Sequence, residues 1–445
     1  MLVEKKFTIW LIIFGFFIKE FSRTIILPNL TIISNYYFGV GIFHAFEISL
    51  LITFQMGGSS VACLIFGTLA DRITRKKALI ISLFFWDIGL ILLTISINFY
   101  FLLIGELFLG IGSGGFIPVA QAIIGDAVSS QESGKTYGWT SNFVAIGFLF
   151  GILAGSFFSP YWKYPFLIAS FLISILLFLY IFKGSQFKLG NNVLGNVNNE
   201  NRSTYSYKIN WDSFIGILKN KTNILIFVEG IFSILGISII TTYLYPFLIE
   251  SPSHLTPIII SILMLIFIFP SQLIGNYFWS RIGDFLERKY IKARILLIAL
   301  EFTITTPFFI FIFWIPISPI ISTDSLQLAF TNSSLMIFIC LFSIGIFLSA
   351  IYDSNQPPII NKINLPETRG SVFAINRFVE ELGGSLGPLL VGIFFEITGQ
   401  NLSIAMTIGM LFMIPGIFCW WSILKTFSKD YKTVKSILMK RFNLS

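Results

Sequence analysis

Charge is what this sequence has least of for its length. Only 12% of its 445 residues are Asp, Glu, Lys or Arg, against about 25% in a soluble domain, so a water-facing shell cannot be covered. Histidine is nearly absent, with His44 and His254 alone, and cysteine is limited to Cys63, Cys340 and Cys419. The two histidines fall at expected helix ends, far from Ser113, and offer no nucleophile with a base beside it. The cysteines lie inside apolar segments with neither paired-ligand spacing nor the pattern of a disulfide framework. A membrane hydrolase and a disulfide-stapled fold are thereby set aside, and no cofactor or metal site is expected. Gly134-Lys135-Thr136 looks like the end of a phosphate-binding loop, but the first glycine such a loop needs falls on Ser129, and no nucleotide domain surrounds it. ATP-driven pumping is set aside as well.

What is abundant is apolar: 55% of the chain is hydrophobic and 51 residues are phenylalanine. A spanning helix needs roughly 20 mostly apolar residues. Spans are predicted over 7–33, 44–66, 78–97, 100–122, 138–157 and 164–182, then 223–249, 255–279, 294–316, 333–356, 372–395 and 401–424. The fold class is therefore all-α and polytopic, with twelve transmembrane helices in two six-helix bundles. The first stretch carries Lys19, Glu20 and Arg23 and has no small-residue cleavage pattern, so it reads as a retained helix.

The net charge of +8 is distributed one-sidedly. If the termini are cytoplasmic, the loops on their side collect Arg72, Arg75, Lys76 and Lys77, Lys135, six cations between Lys183 and Lys221, a second group from Arg281 to Arg294, Lys362, Arg369 and six more from Lys425 to Arg441. The other side shows only Lys163, beside Glu250, Asp324 and Glu396. The positive-inside rule puts both termini in the cytoplasm, and the basic balance needs no nucleic-acid partner. Domains are expected at 1–183 and 221–425, joined by a polar cytoplasmic linker over 184–220 and followed by a basic tail over 426–445. The tail tract from Phe427 to Phe442 mixes lysines with Val434, Ile437, Leu438 and Met439; headgroup binding and a plain solvated tail both stay open.

Between spans two and three stands Gly67-Thr68-Leu69-Ala70-Asp71-Arg72-Ile73-Thr74-Arg75-Lys76-Lys77. Its glycine, Asp-Arg pair and basic end resemble the loop motif of the major facilitator superfamily, with Thr74 in place of a second glycine. Gly67 reads as a position of close helix approach and Asp71 as an acceptor for arginine or a helix N-terminus. Between spans eight and nine, Asn276 to Gly283 forms a degraded copy, with Asn276 for the glycine and Ser280 for the aspartate, followed by Arg281, Ile282 and Gly283. Gln131 to Lys135 after span four echoes Pro366 to Gly370 after span ten. Matched pairs at corresponding positions imply two homologous halves. A narrower resemblance, to the Spinster branch, rests on Leu365 to Phe373 and on Asn376 to Pro388. Ser22-Arg23, where that branch has an Asp-Arg pair, and Glu106, near its usual arginine, depart from it.

An ionisable group at the bilayer centre costs roughly 2.5–3.5 kcal/mol by insertion scales, and this chain has many. Lys19, Glu20 and Arg23 are spaced to share one helix face, as are Arg377, Glu380 and Glu381; the local reading of each cluster is a self-neutralising ion pair. Asp353 joins the second cluster, with snorkelling to water as its alternative. The superfamily resemblance implies a central cavity lined by helices one, four, seven and ten, presenting Lys19, Glu20, Arg23, Glu106 and Glu229. Arg23 is the candidate for an anionic headgroup; Glu20, Glu106 and Glu229 are candidates for proton exchange. Glycines in spans four and five read as packing positions, and span five lacks the Gly-Pro of the antiporter motif. The expectation is a monomeric secondary carrier in the cell membrane, moving a small organic or lysolipid-like, anionic solute by alternating access, with protons as coupling ion. A uniporter and a non-transporting receptor or scaffold on the same fold are the alternatives.

Overall fold

Backbone N–H and C=O groups that cross hydrocarbon must be satisfied within their own segment, and the described part of this chain meets that demand with helices and no strand. The computed structural model describes residues 2–127, 130–185, 216–250, 254–319, 326–366 and 368–441. Nearly all of the expected 184–220 linker therefore lies outside the described residues.

The first span is broken. It consists of α1 (Leu2–Thr24), a 3-10 turn at Leu27–Asn29 and α2 (Leu30–Phe38). Pro28, which has no N–H, sits in the turn and stops the helical ladder. Asn29 answers the gap by donating Nδ2 to Ile25 O at 3.1 Å and to Gly155 O at 3.0 Å. The chain continues as α3 (Ala45–Arg72), α4 (Arg75–Ile95), α5 (Phe99–Ala127), α6 (Ser130–Phe157) and α7 (Tyr164–Lys183). The second half holds α8 (Lys221–Glu250), α9 (Pro257–Leu263) and α10 (Phe269–Lys289), the last two joined by a π-helical turn at Met264–Ile268. Pro270 just after that turn cannot donate to the residue four back, and the wider turn absorbs the defect. Then come α11 (Ala293–Ile312), the short α12 (Leu326–Thr331), α13 (Ser333–Lys362), α14 (Arg369–Ile397), α15 (Leu402–Leu411) and α16 (Ile414–Arg441).

Among the described residues eleven helical segments are long and apolar enough to cross a membrane. The charged α1 is the twelfth span. Several helices run past their expected ends, among them the second span to Arg72, the fifth from Ser130 and the tenth to Lys362, and two of the shifts are large. The loop foreseen after residue 279 is helix as far as Lys289, and α16 runs through the expected 425/426 boundary to Arg441 without a break. Hydropathy ends a span where charge begins, whereas helical hydrogen bonding does not.

The chain divides into two compact units. The first comprises Met1–Glu200, Thr241–Glu250 and Thr256–Ser261; the second comprises Asn201–Ile240, Ser251–Leu255 and Ile262–Ser445. In the first, α6 lies on α1 so closely that a Cβ at Gly151 would fall 2.5 Å from Phe21 O. In the second, α14 repeats this against α8, where a Cβ at Gly383 would fall 2.0 Å from Ile231 O. Span five on span one, and span eleven on span seven, is the packing that an internal repeat requires. The second unit closes over a core that includes Phe302, Tyr352, Trp420 and Phe427.

Candidate functional site

In the first unit, α1 presents its charges unequally. Lys19 and Glu20 are buried and form an ion pair with each other. Arg23, one turn on and half-buried, forms no hydrogen bond or ion pair among the described residues. The three residues are thus not one closed network, and the positive charge left over is that of Arg23. Neighbouring groups fix the frame: Trp86 of α4 donates its indole N–H to Ser22 Oγ at 3.2 Å, and Ser82 Oγ donates to Gly112 O of α5 at 2.7 Å.

Glu106 of α5 is fully buried. Gln55 of α3 donates Nε2 to its Oε2 at 2.7 Å, and Oε1 has no partner. The close approach that brings α3 there is visible at Gly110, where a Cβ would lie 2.1 Å from Gln55 O. Asp87 of α4 is satisfied by two hydroxyls of α7, Ser170 at 2.6 Å and Ser174 at 2.7 Å.

The second unit holds the other intramembrane acids. Glu380 is the hub: its Oε1 accepts from Asn376 Nδ2 at 2.6 Å, from Tyr352 Oη at 3.2 Å and from Gln356 Nε2 at 3.4 Å. Arg377 lies 3.7 Å from its other oxygen and pairs with Glu381. Asp353 is exposed on α13 and accepts from Gln272 Nε2 at 3.1 Å. Glu229 of α8 is different. It is fully buried, Ser233, Trp420 and Glu380 are its electrostatic neighbours, and neither carboxylate oxygen closes a hydrogen bond. Glu301 of α11 accepts from Thr305 at 3.0 Å through one oxygen and leaves the other alone.

The loop motif works as a set of helix caps. Lys76 donates to Ile181 O at 2.9 Å and Gly184 O at 2.8 Å, holding the C-terminal end of α7; Arg75 donates to Ala122 O of α5 at 2.5 Å. A cation suits the end of α7 because the last carbonyls there have no intrahelical partner and the dipole is negative; Ala122 lies inside α5, where Arg75 adds a second donor to a helical carbonyl. Thr74, the departure from the motif, accepts from Lys77 N at 3.4 Å and caps the start of α4, a task glycine has no side chain for. The side chains of Asp71 and Arg72 lie outside the described residues. Gly67 is not a close-approach point: a Cβ there would meet only Pro118 Cβ, at 3.9 Å.

In the second half the equivalent chemistry is shifted along the chain. Ser280 bonds Tyr277 O at 2.9 Å on its own helix, and Arg281 sits over the Tyr277 ring at 4.1 Å. The close approach is at Gly283, where a Cβ would lie 2.0 Å from Asn355 Oδ1. The working cation is Arg294, buried at the head of α11. It pairs with Asp284, donates to Glu287 at 3.0 Å and to Asn355 Oδ1 at 2.8 Å, while Lys362 joins Glu287 at 2.6 Å. Arg294 leads its span as Arg75 leads its own, and that parallel was the available signal. Asn376 stands in the segment that carries the Spinster resemblance, but nothing in the sequence points to Gln55 or Tyr352, because a single sequence does not fix which helix faces meet.

Comparison with known proteins identifies this architecture. The Major Facilitator Superfamily profile matches residues 12–323. A putative niacin/nicotinamide transporter, NiaP of Bacillus subtilis, is 34% identical over 103 residues, 23% of this chain and 26% of that protein. The chain spans about a quarter of the length of the curated relatives it matches. Solved structures share the fold throughout. A bacterial homologue of the human lysosomal transporter Spinster, inward-facing and unoccupied, matches with a TM-score of 0.71 at 16% identity, over 96% of this chain and 98% of that one. The nucleoside transporter NupG matches at 0.65 and 15% identity, over 94% and 100%. The chain is an integral membrane protein and belongs to the Major Facilitator Superfamily, a family of transporters rather than of enzymes.

Proposed function

We propose that this protein is a secondary transporter that carries a small organic or amphiphilic anion across the cell membrane by alternating access, coupled to protons, with both termini cytoplasmic. The observation that carries the anion is Arg23: a cation on the first span with no partner among the described residues, beside a Lys19–Glu20 pair that already neutralises itself. An unpaired guanidinium within a membrane span is costly unless an anion meets it, and its planar fork binds carboxylate or phosphate well. The proton reading is supported by carboxylate oxygens without partners: Glu106 Oε1, Glu301 Oε2 and both oxygens of Glu229. Burying a carboxylate oxygen with neither a hydrogen-bond donor nor a cation is costly in the charged form, and binding a proton removes that charge. Relatives named for niacin or nicotinamide and for nucleosides suit a small organic solute; the Spinster-like loop and eleventh helix suit an amphiphilic one.

Proteoliposomes with an internal pH dye test this, challenged with small organic anions and lysolipids. One of them is expected to drive a pH change that Arg23→Gln abolishes and that Glu106→Gln and Glu229→Gln uncouple from solute uptake. Full coupling in both carboxylate variants would remove the proton from the mechanism. Unchanged uptake in Arg23→Gln would remove the anion site.

A further inference from the structure

Away from the intramembrane charges, the second unit has a cavity of about 490 Å³ where α13 ends, α14 begins and α16 passes. Pro358, Tyr431, Val434 and Leu438 supply an apolar wall; Lys362, Arg369 and Lys435 supply three cations. Val434 is buried, and Lys435 beside it is exposed. Arg369 Nε is buried with no hydrogen-bond partner. Lys362 keeps Glu287 at 2.6 Å through one of its three donor hydrogens and retains the others. The wall exists because α16 does not leave the protein where its membrane span ends. Thr222 at the start of α8 donates both N and Oγ1 to Asp430, at 3.0 and 2.6 Å, and Phe427 stacks on Tyr431, which hold the basic extension against the bundle.

We propose that this cavity is a binding site for a phosphate-bearing group with a short apolar stem. The chemistry follows from the lining. Arginine and lysine side chains among the lining residues suit the several acceptor oxygens of a phosphate, and an apolar wall next to them fits a glycerol or acyl stem rather than a bare ion. The site lies on the face where the basic loops gather, at the end of one span and the start of the next, so an anionic phospholipid reaches it from the adjoining leaflet. A soluble organic phosphate has the same chemistry, and the two sources separate by experiment.

The full chain in detergent would be titrated with phosphatidylglycerol, with phosphatidylcholine and with glycerol phosphate, and bound ligand counted by native mass spectrometry. Phosphatidylglycerol is expected to bind in preference to phosphatidylcholine. One surface cation contributes about 1 kcal/mol to attraction for anionic lipid, so Lys435→Gln and Arg369→Gln should each weaken binding about five-fold. Lys432→Gln, exposed on the same helix but outside the cavity, should not. Leu438→Asn should weaken the lipid and spare glycerol phosphate. Binding of glycerol phosphate alone, with the same loss in Lys435→Gln, would support the site with a soluble occupant. Equal losses in Lys435→Gln and Lys432→Gln would reveal unspecific surface attraction and overturn the proposal, as would equal binding of the two lipids or binding of none of the three.

Discussion

Gln55 of α3 donates its side-chain amide to Glu106 Oε2 of α5 at 2.7 Å, and the other oxygen of the same buried carboxylate has no partner. The two residues are 51 apart in sequence and meet only because Gly110 lets α5 lie against the α3 backbone. One amide hydrogen bond is thus all that the surrounding protein gives this carboxylate.

Gln55→Leu is therefore expected to cost about 1–3 kcal/mol, the range for leaving a buried polar group unsatisfied. Adding Glu106→Leu should recover most of that loss, since replacing both partners by apolar groups of similar shape is close to neutral. Thermal unfolding of the two single variants, the double variant and the parent in one detergent measures the cycle. An unchanged midpoint in Gln55→Leu would mean that the hydrogen bond contributes nothing.

Arg294 makes a second, sharper case. Its guanidinium serves Asp284, Glu287 and Asn355 at once while 95% of its side chain is out of solvent, the exposed share being 5%. A lysine cannot reproduce three directed bonds from one planar fork, so Arg294→Lys should destabilise the second unit by about 2–4 kcal/mol. Asp284→Asn should cost under about 1 kcal/mol, because Asp284 is 65% exposed and its pairing is screened by solvent. Chemical denaturation of the purified variants ranks them; a reversed order would show that the exposed pair carries the network.

The family motif points to Gly67, but the space around it predicts tolerance. Gly67→Ala would put a methyl 3.9 Å from Pro118, an ordinary contact, and in a helix alanine is favoured over glycine by roughly 0.5–1 kcal/mol. Gly283→Ala would drive a methyl to 2.0 Å from Asn355 Oδ1. Asn355 cannot swing aside cheaply, because it also bonds Arg294 at 2.8 Å and Ile351 O at 2.9 Å. Expression and unfolding temperature should hold or rise for the first substitution and fall for the second.

The division between legible and hidden features has a physical cause. Lipid demands continuous apolar helix, so the spans and the two-half organisation can be read directly from hydropathy and repeated loops. Pro28 announced a break in the first span that an apolar window alone passed over. The second loop was misplaced because charge begins at Arg281 while the helix continues to Lys289; the Asn276 and Ser280 register followed charge rather than helix end. Arg377 beside Glu381, four residues apart on one helix, was readable locally. Gln55 on Glu106 and Tyr352 on Glu380 depend on helix rotation, which one sequence does not encode in any local pattern.

The basic C-terminal tract invites one more test, since it is a structural part of the second unit. Asp430 Oδ2 accepts from both the backbone N and the hydroxyl of Thr222, in the first turn of α8, where N–H groups are unsatisfied and the helix dipole is positive. The local cap is Asn220, whose Oδ1 accepts from Thr222 N at 3.0 Å and Asn223 N at 3.1 Å; Asp430, 208 positions away, adds a second acceptor to the same turn. Loss of that second acceptor costs about 0.5–1.5 kcal/mol, the net worth of a hydrogen bond. Asp430→Ala should therefore lower the unfolding midpoint. Lys429→Ala, which removes an adjacent charge that makes no such bond, should leave the midpoint unchanged. Thr222→Val keeps the backbone donor and loses only the hydroxyl, so it should fall between the two. If Asp430→Ala and Lys429→Ala unfold together with the parent, the tract is a solvated appendage and its docking on α8 contributes nothing to stability.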